Sequence, residues 1–138
     1  MIKRIYISFS LLLIGALIYA SLRQNVLFMI HVPSELLAKI KIDIDYHNCS
    51  VVTYFIIFCL PDALWYAALL ILQSAFFEQN IVGKSIFIIS VIFPFLYEVM
   101  QKADVISGTF DPMDIFTYLF TLLILFLCQR KQFYQFLY

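Results

Sequence analysis

Uninterrupted apolar stretches constrain this chain more than any other feature. Residues 5–22 include no charged side chain and consist mostly of Leu, Ile and other apolar residues. A helix needs about 20 such residues to cross ~30 Å of hydrocarbon. Of the 138 residues, 64% are hydrophobic and 13% are charged. Soluble domains carry roughly 45–50% apolar and about 25% charged residues. The sequence therefore predicts an integral membrane protein.

The apolar pattern predicts an all-α fold, a membrane helical bundle of four transmembrane helices that forms a single domain over residues 1–138. Helices are expected because a lipid-exposed segment must pair its own backbone polar groups. The predicted spans are residues 5–22, 61–77, 85–100 and 112–128. A cleaved signal peptide is an alternative for the first span, because the basic residues Lys3 and Arg4 precede it.

Two prolines affect the predicted helices. The second span is expected to begin near Pro61, and residues 51–60 suit an interfacial or re-entrant segment. The alternative is one long helix from Val51, kinked at Pro61. Pro94 lies inside the third span, where it predicts a kink whose freed carbonyl is paired by a neighbouring helix.

Residues 23–50 are the most polar part of the chain and are expected to form an outer loop. Within it, residues 33–42 suit a short amphipathic helix on the membrane surface. His31 and His47 lack a companion motif and are interpreted as surface residues. The three cysteines show no metal or redox spacing, so no disulfide, metal or cofactor is predicted. Nine basic and nine acidic residues give no polybasic surface for nucleic acid.

Four spans place both termini on one side of the membrane. Basic residues near the span ends are slightly more numerous on the side of the termini. That side has Lys3, Arg4, Lys84, Arg130 and Lys131, and the other has Arg23, Lys39, Lys41 and Lys102. The positive-inside rule therefore predicts that both termini are cytoplasmic.

The same topology brings polar residues together on the outer face. The candidate ligand-binding residues are Asp62, Trp65, Glu98, Gln101, Thr109, Asp111 and Asp114. An ionisable residue at the edge of a span, as Glu98 is, usually faces the bundle interior or a wet cavity. Converging carboxylates repel unless they are protonated, hydrogen-bonded or matched by a cation, and Lys102 is the nearest cation in the sequence. Trp65 also suits an interfacial aromatic belt.

The stretch SGTFDPMDIF carries ordinary signals for a helix start. Asp111 suits the N-cap, Pro112 the first helical position and Asp114 the third, close to a capping box. Gly108 suits the tight turn before them. Capping explains most of this stretch but does not account for Asp62 or Glu98.

Glu98-x-x-Gln101 followed by Gly108-Thr109 and Asp111 resembles the signature of the VanZ-like family. These are small bacterial membrane proteins named for a member associated with teicoplanin resistance. The resemblance implies a multi-pass protein of the bacterial cytoplasmic (inner) membrane. Many family members have Arg at the position of Thr109. The threonine of this chain therefore leaves the site without the obvious counter-charge.

Three functional hypotheses follow. The first is a non-enzymatic protein that binds a lipid headgroup, cell-wall precursor or amphiphilic antibiotic on its outer face. The alternative is a small accessory or structural subunit that contacts a membrane protein partner or forms a homo-oligomer. The third is an intramembrane enzyme with carboxylates as acid and base. No catalytic residue is nominated, because no Ser-His, Cys-His, HExxH or phosphate-loop motif occurs.

Overall fold

The fold is all-α, as predicted, and is known from a computed structural model. The structure describes residues 1–23, 35, 39–42, 44, 50–76 and 80–128. Four long helices dominate these residues, and no strand occurs among them. They are α1 (Ile2–Leu22), α2 (Val51–Ala75), α3 (Ile81–Lys102) and α4 (Pro112–Cys128).

The first three helices are each long and apolar enough to cross a membrane. At 17 residues, α4 lies at the lower end of the range of about 17–25 that a span requires. The prediction of a membrane protein is therefore confirmed. Half of the predicted amphipathic segment, residues 33–42, lies outside the described residues, as do His31 and His47.

The second helix begins at Val51, so the structure has the continuous alternative rather than a start at Pro61. Ser50 caps it by accepting a hydrogen bond from the Thr53 N–H at 3.2 Å. Residues 55–59 form a π turn, in which the Leu60 N–H bonds the Phe55 carbonyl. Pro61, which has no N–H to donate, follows directly after this change of register. As a consequence, Asp62 lies near the middle of α2 and not at its start.

The third helix also begins before its predicted boundary, at Ile81 instead of residue 85. The Asn80 side chain accepts a hydrogen bond from the Gly83 N–H at 2.7 Å. Asn is one of the preferred N-cap residues because its oxygen pairs an N–H that the helix leaves free. The fourth helix has the predicted bounds, 112–128.

Small and polar residues join α1 to α2 along an interface that we call the α1–α2 seam. The Ser8 hydroxyl donates to the Ala68 carbonyl at 2.5 Å, and both residues are fully buried. The Arg4 guanidinium donates to the Ser74 carbonyl at 2.8 Å. Gly15 lies against the Trp65 indole. Small residues let membrane helices approach closely, and cross-helix hydrogen bonds then hold them.

The Tyr66 ring connects α2 to α3 and α4. It lies edge-on to the rings of Phe95 and Tyr118 and belongs to the buried core. Its hydroxyl donates to the Val91 carbonyl at 2.9 Å. This bond supports the turn that Pro94 interrupts, although the carbonyl left without an N–H by the proline is that of Ser90.

The end of α1, the start of α2, the end of α3 and the start of α4 meet at one end of the bundle. Contacts from Arg23 to Phe58, from Tyr54 to Asp111 and from Glu98 to Asp111 connect them. We call this region the polar end.

Candidate functional site

A cavity of about 920 Å³ lies at the polar end and takes lining residues from all four helices. The structure brings together in its lining every candidate residue that the sequence nominated. These are Asp62, Trp65, Glu98, Gln101, Thr109, Asp111 and Asp114. The remaining lining residues were not nominated: Tyr19, Arg23, Tyr54, Phe58, Tyr97, Ser107, Gly108 and Tyr118.

Asp111 joins the start of α4 to the start of α2. One carboxylate oxygen accepts a hydrogen bond from the Met113 N–H at 2.9 Å, so the predicted N-cap role is confirmed. The other accepts from the Tyr54 hydroxyl at 2.8 Å. Tyr54 is in position to donate because α2 begins at Val51, before the predicted start.

Glu98 has the role in capping that the sequence assigned to Asp114. In a capping box, the side chain at the third helical position accepts from the N–H of the N-cap residue. Here the acceptor for the Asp111 N–H is Glu98 Oε2 of α3, at 3.4 Å. The capping-box assignment of Asp114 is therefore wrong. Glu98 is only 3% exposed, whereas the Asp114 side chain has no recorded hydrogen bond to a described residue and lines the cavity.

Arg23, directly after α1, is the cation of the cavity. Its guanidinium nitrogen lies 3.7 Å from an Asp62 carboxylate oxygen and donates to the Phe58 carbonyl at 3.0 Å. The guanidinium also lies over the Tyr19 ring, 4.5 Å from its centroid, a favourable cation–π geometry. Lys102, which the sequence suggested, instead lies over the Phe110 ring at 5.1 Å and does not line the cavity.

Gln101 and Gly108 explain the spacing of the motif. Gly108 has φ +144°, which side-chain-bearing residues rarely adopt. A Cβ at this position would also overlap the Gln101 side-chain amide. Glycine therefore lets the connector between α3 and α4, residues 103–111, approach the end of α3 closely. This places Asp111 next to Glu98. The Gln101 Oε1 atom is buried and has no hydrogen-bond partner in the part of the chain that is described.

Trp65 lies at the floor of the cavity and belongs to the α1–α2 seam as well. Its indole N–H donates to the Leu12 carbonyl at 3.3 Å, and its ring lies 5.3 Å from that of Tyr19. Trp65 therefore has contacts with α1 beyond those that an interfacial belt would require.

A second cavity of about 190 Å³ adjoins the first. It lies beside α2 and α3 and shares part of its lining with the larger cavity. Its lining residues are Asp62, Trp65, Tyr66, Leu69, Phe93, Pro94 and Tyr118. We call it the apolar groove, because Asp62 is its one charged lining residue within the described chain.

The lining of the larger cavity carries four carboxyl groups and one guanidinium. Carboxylates in a low-dielectric site repel one another and are costly to bury without hydrogen bonds or a cation. Among the described residues, Asp62 is the one carboxylate of the cavity that forms an ion pair, and its partner is Arg23. No group of described His, Cys, Asp or Glu residues is arranged to hold a metal ion.

No protein-family model, curated protein or solved structure matches this chain. The resemblance to the VanZ-like family therefore stays a prediction from the motif. The cavity follows from the positions of its lining residues and does not depend on that resemblance.

Proposed function

We propose that this chain is a VanZ-like, non-enzymatic protein of the bacterial cytoplasmic membrane that binds the polar head of an amphiphile. The binding site is the cavity at the polar end. Lipid headgroups, cell-wall precursors and amphiphilic antibiotics are such amphiphiles. Both termini lie in the cytoplasm and the cavity opens on the outer side, an orientation supported by the distribution of basic residues around the spans.

The placement of Glu98 supports this proposal most strongly. A buried glutamate near the end of a membrane helix is costly, and such residues mark ligand or ion sites. Glu98 receives one long hydrogen bond from the Asp111 N–H, yet it lines a cavity in which other carboxylates also lie. Packing alone would be better served by an apolar side chain.

The composition of the lining also supports a binding role. Ligand sites combine aromatic walls with a few convergent polar groups that fix orientation. Here aromatic rings from α1, α2, α3 and α4 surround carboxyl groups, an amide and a guanidinium. A headgroup with several hydrogen-bonding atoms matches such a wall.

The test is retention of an amphiphile by the purified chain. We expect the full chain, extracted from bacterial membranes in a mild maltoside, to retain a defined amphiphile that mass spectrometry identifies. The double variant Glu98→Gln/Asp114→Asn should retain about tenfold less, because both carboxylate charges are lost. The amide oxygen that Glu98→Gln introduces can still accept from the Asp111 N–H, so the helix cap is preserved.

The matched control is Asp104→Asn. Asp104 is an exposed carboxylate of the connector, outside the cavity lining, and has φ +54°, which Asn also tolerates. This variant should retain the amphiphile as the wild type does. Equal retention by the double variant would refute the proposal, and a co-purifying protein in place of an amphiphile would favour an accessory subunit.

A further inference from the structure

The polar cavity and the apolar groove adjoin each other. Asp62, Trp65 and Tyr118 line both. Beyond these three, the groove is bounded by Leu69, Phe93, Pro94 and Tyr66. Leu69 is 39% exposed and Phe93 is 57% exposed. In helices that cross a membrane, such surfaces face lipid, so the groove next to the polar cavity lies on the hydrocarbon side of the bundle.

This arrangement matches the two parts of an amphiphile. The cavity offers hydrogen-bonding groups over about 920 Å³, whereas the groove offers mainly hydrocarbon and aromatic surface over about 190 Å³. A headgroup in the cavity would leave its apolar chain at Trp65 and Tyr118, where the groove begins. Because the cavity and the groove share three lining residues, an apolar chain attached to a headgroup in the cavity would lie next to the groove.

The charges in the cavity select the headgroup. The one guanidinium among the lining residues is already engaged, because Arg23 pairs with Asp62, donates to the Phe58 carbonyl and lies over the Tyr19 ring. An anionic head would meet four carboxyl groups, and no further cation of the described residues lines the cavity. A cationic head would be attracted by the Asp114 carboxylate and by the partial negative charge of the buried Gln101 Oε1, which has no hydrogen-bond donor among the described residues.

The aromatic lining favours the same sign of charge. The cavity wall includes Trp65 and four tyrosines, Tyr19, Tyr54, Tyr97 and Tyr118. Aromatic faces attract cations, and cages of such rings recognise quaternary ammonium groups. Carboxylates and aromatic rings together therefore provide the surroundings that an ammonium group requires.

We propose that the ligand is a cationic amphiphile with a single apolar chain. Its ammonium group lies next to Asp114 and Glu98, and its chain lies in the apolar groove between Leu69 and Phe93. This inference rests on the proposed function, because it assigns the class of amphiphile that the cavity binds.

The fluorescence emission of Trp65 can be used to measure binding of the amphiphile. Trp65 is the single tryptophan of the chain and lines both cavities. The full chain in maltoside micelles is titrated with dodecyltrimethylammonium, with the anionic lauroylsarcosinate and with tetramethylammonium, which has no chain. We expect a saturable change in Trp65 emission with dodecyltrimethylammonium, at a concentration at least about tenfold lower than with either other probe.

Two variants test the two parts of the ligand separately. Asp114→Asn should weaken binding of dodecyltrimethylammonium by about tenfold, because the Coulombic attraction between the carboxylate and the quaternary ammonium is lost. Leu69→Phe fills the groove and should weaken the dodecyl probe while leaving tetramethylammonium unchanged. Leu119→Phe is the matched control, since Leu119 is exposed on α4 and lines neither cavity. Far-UV circular dichroism verifies that each variant is helical.

The outcomes separate this inference from the proposed function. If lauroylsarcosinate bound more tightly than dodecyltrimethylammonium, and Glu98→Gln weakened that binding, the cationic assignment would be overturned. The proposed function would still stand. An unchanged affinity of the dodecyl probe in Leu69→Phe would overturn the assignment of the groove. Equal responses of the wild type and Glu98→Gln to all three probes would overturn both the inference and the proposed function.

Discussion

The α1–α2 seam and the cavity at the polar end both place polar side chains between helices, with opposite results. In the seam, the polar groups are donors, and each finds a backbone carbonyl on the facing helix: Ser8 bonds Ala68, Arg4 bonds Ser74 and Trp65 bonds Leu12. In the cavity, four of the polar groups are carboxylates, which when ionised only accept hydrogen bonds. Helix carbonyls are acceptors too and cannot satisfy them.

This difference explains why one interface is closed and the other is open. A hydroxyl or indole N–H draws two helices together through the carbonyls that every helix offers. Facing carboxylates repel and require donors or cations from elsewhere. Arg23 meets this need for Asp62, and the Asp111 N–H meets part of it for Glu98. Asp114 has neither among the described residues and lines the open cavity.

The largest effect on the free energy of unfolding is expected from Gly15→Leu, which overpacks the α1–α2 seam. A Cβ at Gly15 would lie 2.6 Å from the Trp65 indole nitrogen and 2.7 Å from its Cδ1. The indole N–H also donates to the Leu12 carbonyl at 3.3 Å, so displacing the ring would strain this hydrogen bond. Overpacking commonly costs about 1–3 kcal/mol and occasionally more, so we expect a loss of about 3 kcal/mol, measured by denaturant titration in micelles.

The control for this prediction is Gly83→Leu, in the first turn of α3. Leu is a better helix former than Gly by about 0.5–1 kcal/mol, so the variant should be neutral or slightly stabilising. Equal destabilisation by the two substitutions would mean that the seam has no special requirement for glycine.

Much of the fold follows from hydropathy, whereas the site depends on contacts between distant parts of the chain. The apolar runs predict four helices, and Asp111-Pro112 predicts the start of α4 because cap chemistry is local. The start of α2 at Val51 was the less favoured alternative, because a proline usually ends a helix and the π turn before Pro61 leaves no simple sequence signal.

The candidate carboxylates could be placed together from topology alone, but their partners could not. Arg23 was recognised as a basic residue of the outer side, yet Lys102 was favoured as the counter-charge because it is closer in sequence to Glu98. Tyr54 was missed because it precedes the expected start of the second span. In both cases the decisive contact joins residues that are far apart in the sequence, Arg23 with Asp62 and Tyr54 with Asp111.

Arg23→Gln tests the boundary between the two regions, because Arg23 donates to a carbonyl as seam residues do and also pairs with a cavity carboxylate. The side chains of Arg23 and Asp62 are 24% and 20% exposed, so the effect should be smaller than the roughly 3–5 kcal/mol of a fully buried pair. We expect a loss of about 2 kcal/mol in denaturant titration.

Two further variants make this result specific. Asp62→Asn in the Arg23→Gln background should recover part of the loss, because an unmatched carboxylate is removed. Lys102→Gln removes an exposed cation outside the cavity and should change stability by less than about 0.5 kcal/mol. A loss in Lys102→Gln as large as in Arg23→Gln would contradict the assignment of Arg23 as the cation of the cavity.

The smallest effect is expected at Asp111, the one cavity carboxylate whose two oxygens both have described donors, the Met113 N–H and the Tyr54 hydroxyl. Because its hydrogen bonds resemble those of the seam, Asp111 should behave as a structural residue. Asp111→Ala should cost about 1–2 kcal/mol, as loss of an N-cap does, while Asp111→Asn retains an acceptor and should cost less than about 1 kcal/mol.

In a double-mutant cycle with Tyr54→Phe, Asp111→Ala should cost less stability than it does in the wild type, since the hydroxyl that it would leave unpaired is already absent. Equal losses from Asp111→Ala and Asp111→Asn, with no coupling to Tyr54, would show that the charge of Asp111 matters more than its hydrogen bonds, and would place this residue with Asp114 among the groups that the ligand must satisfy.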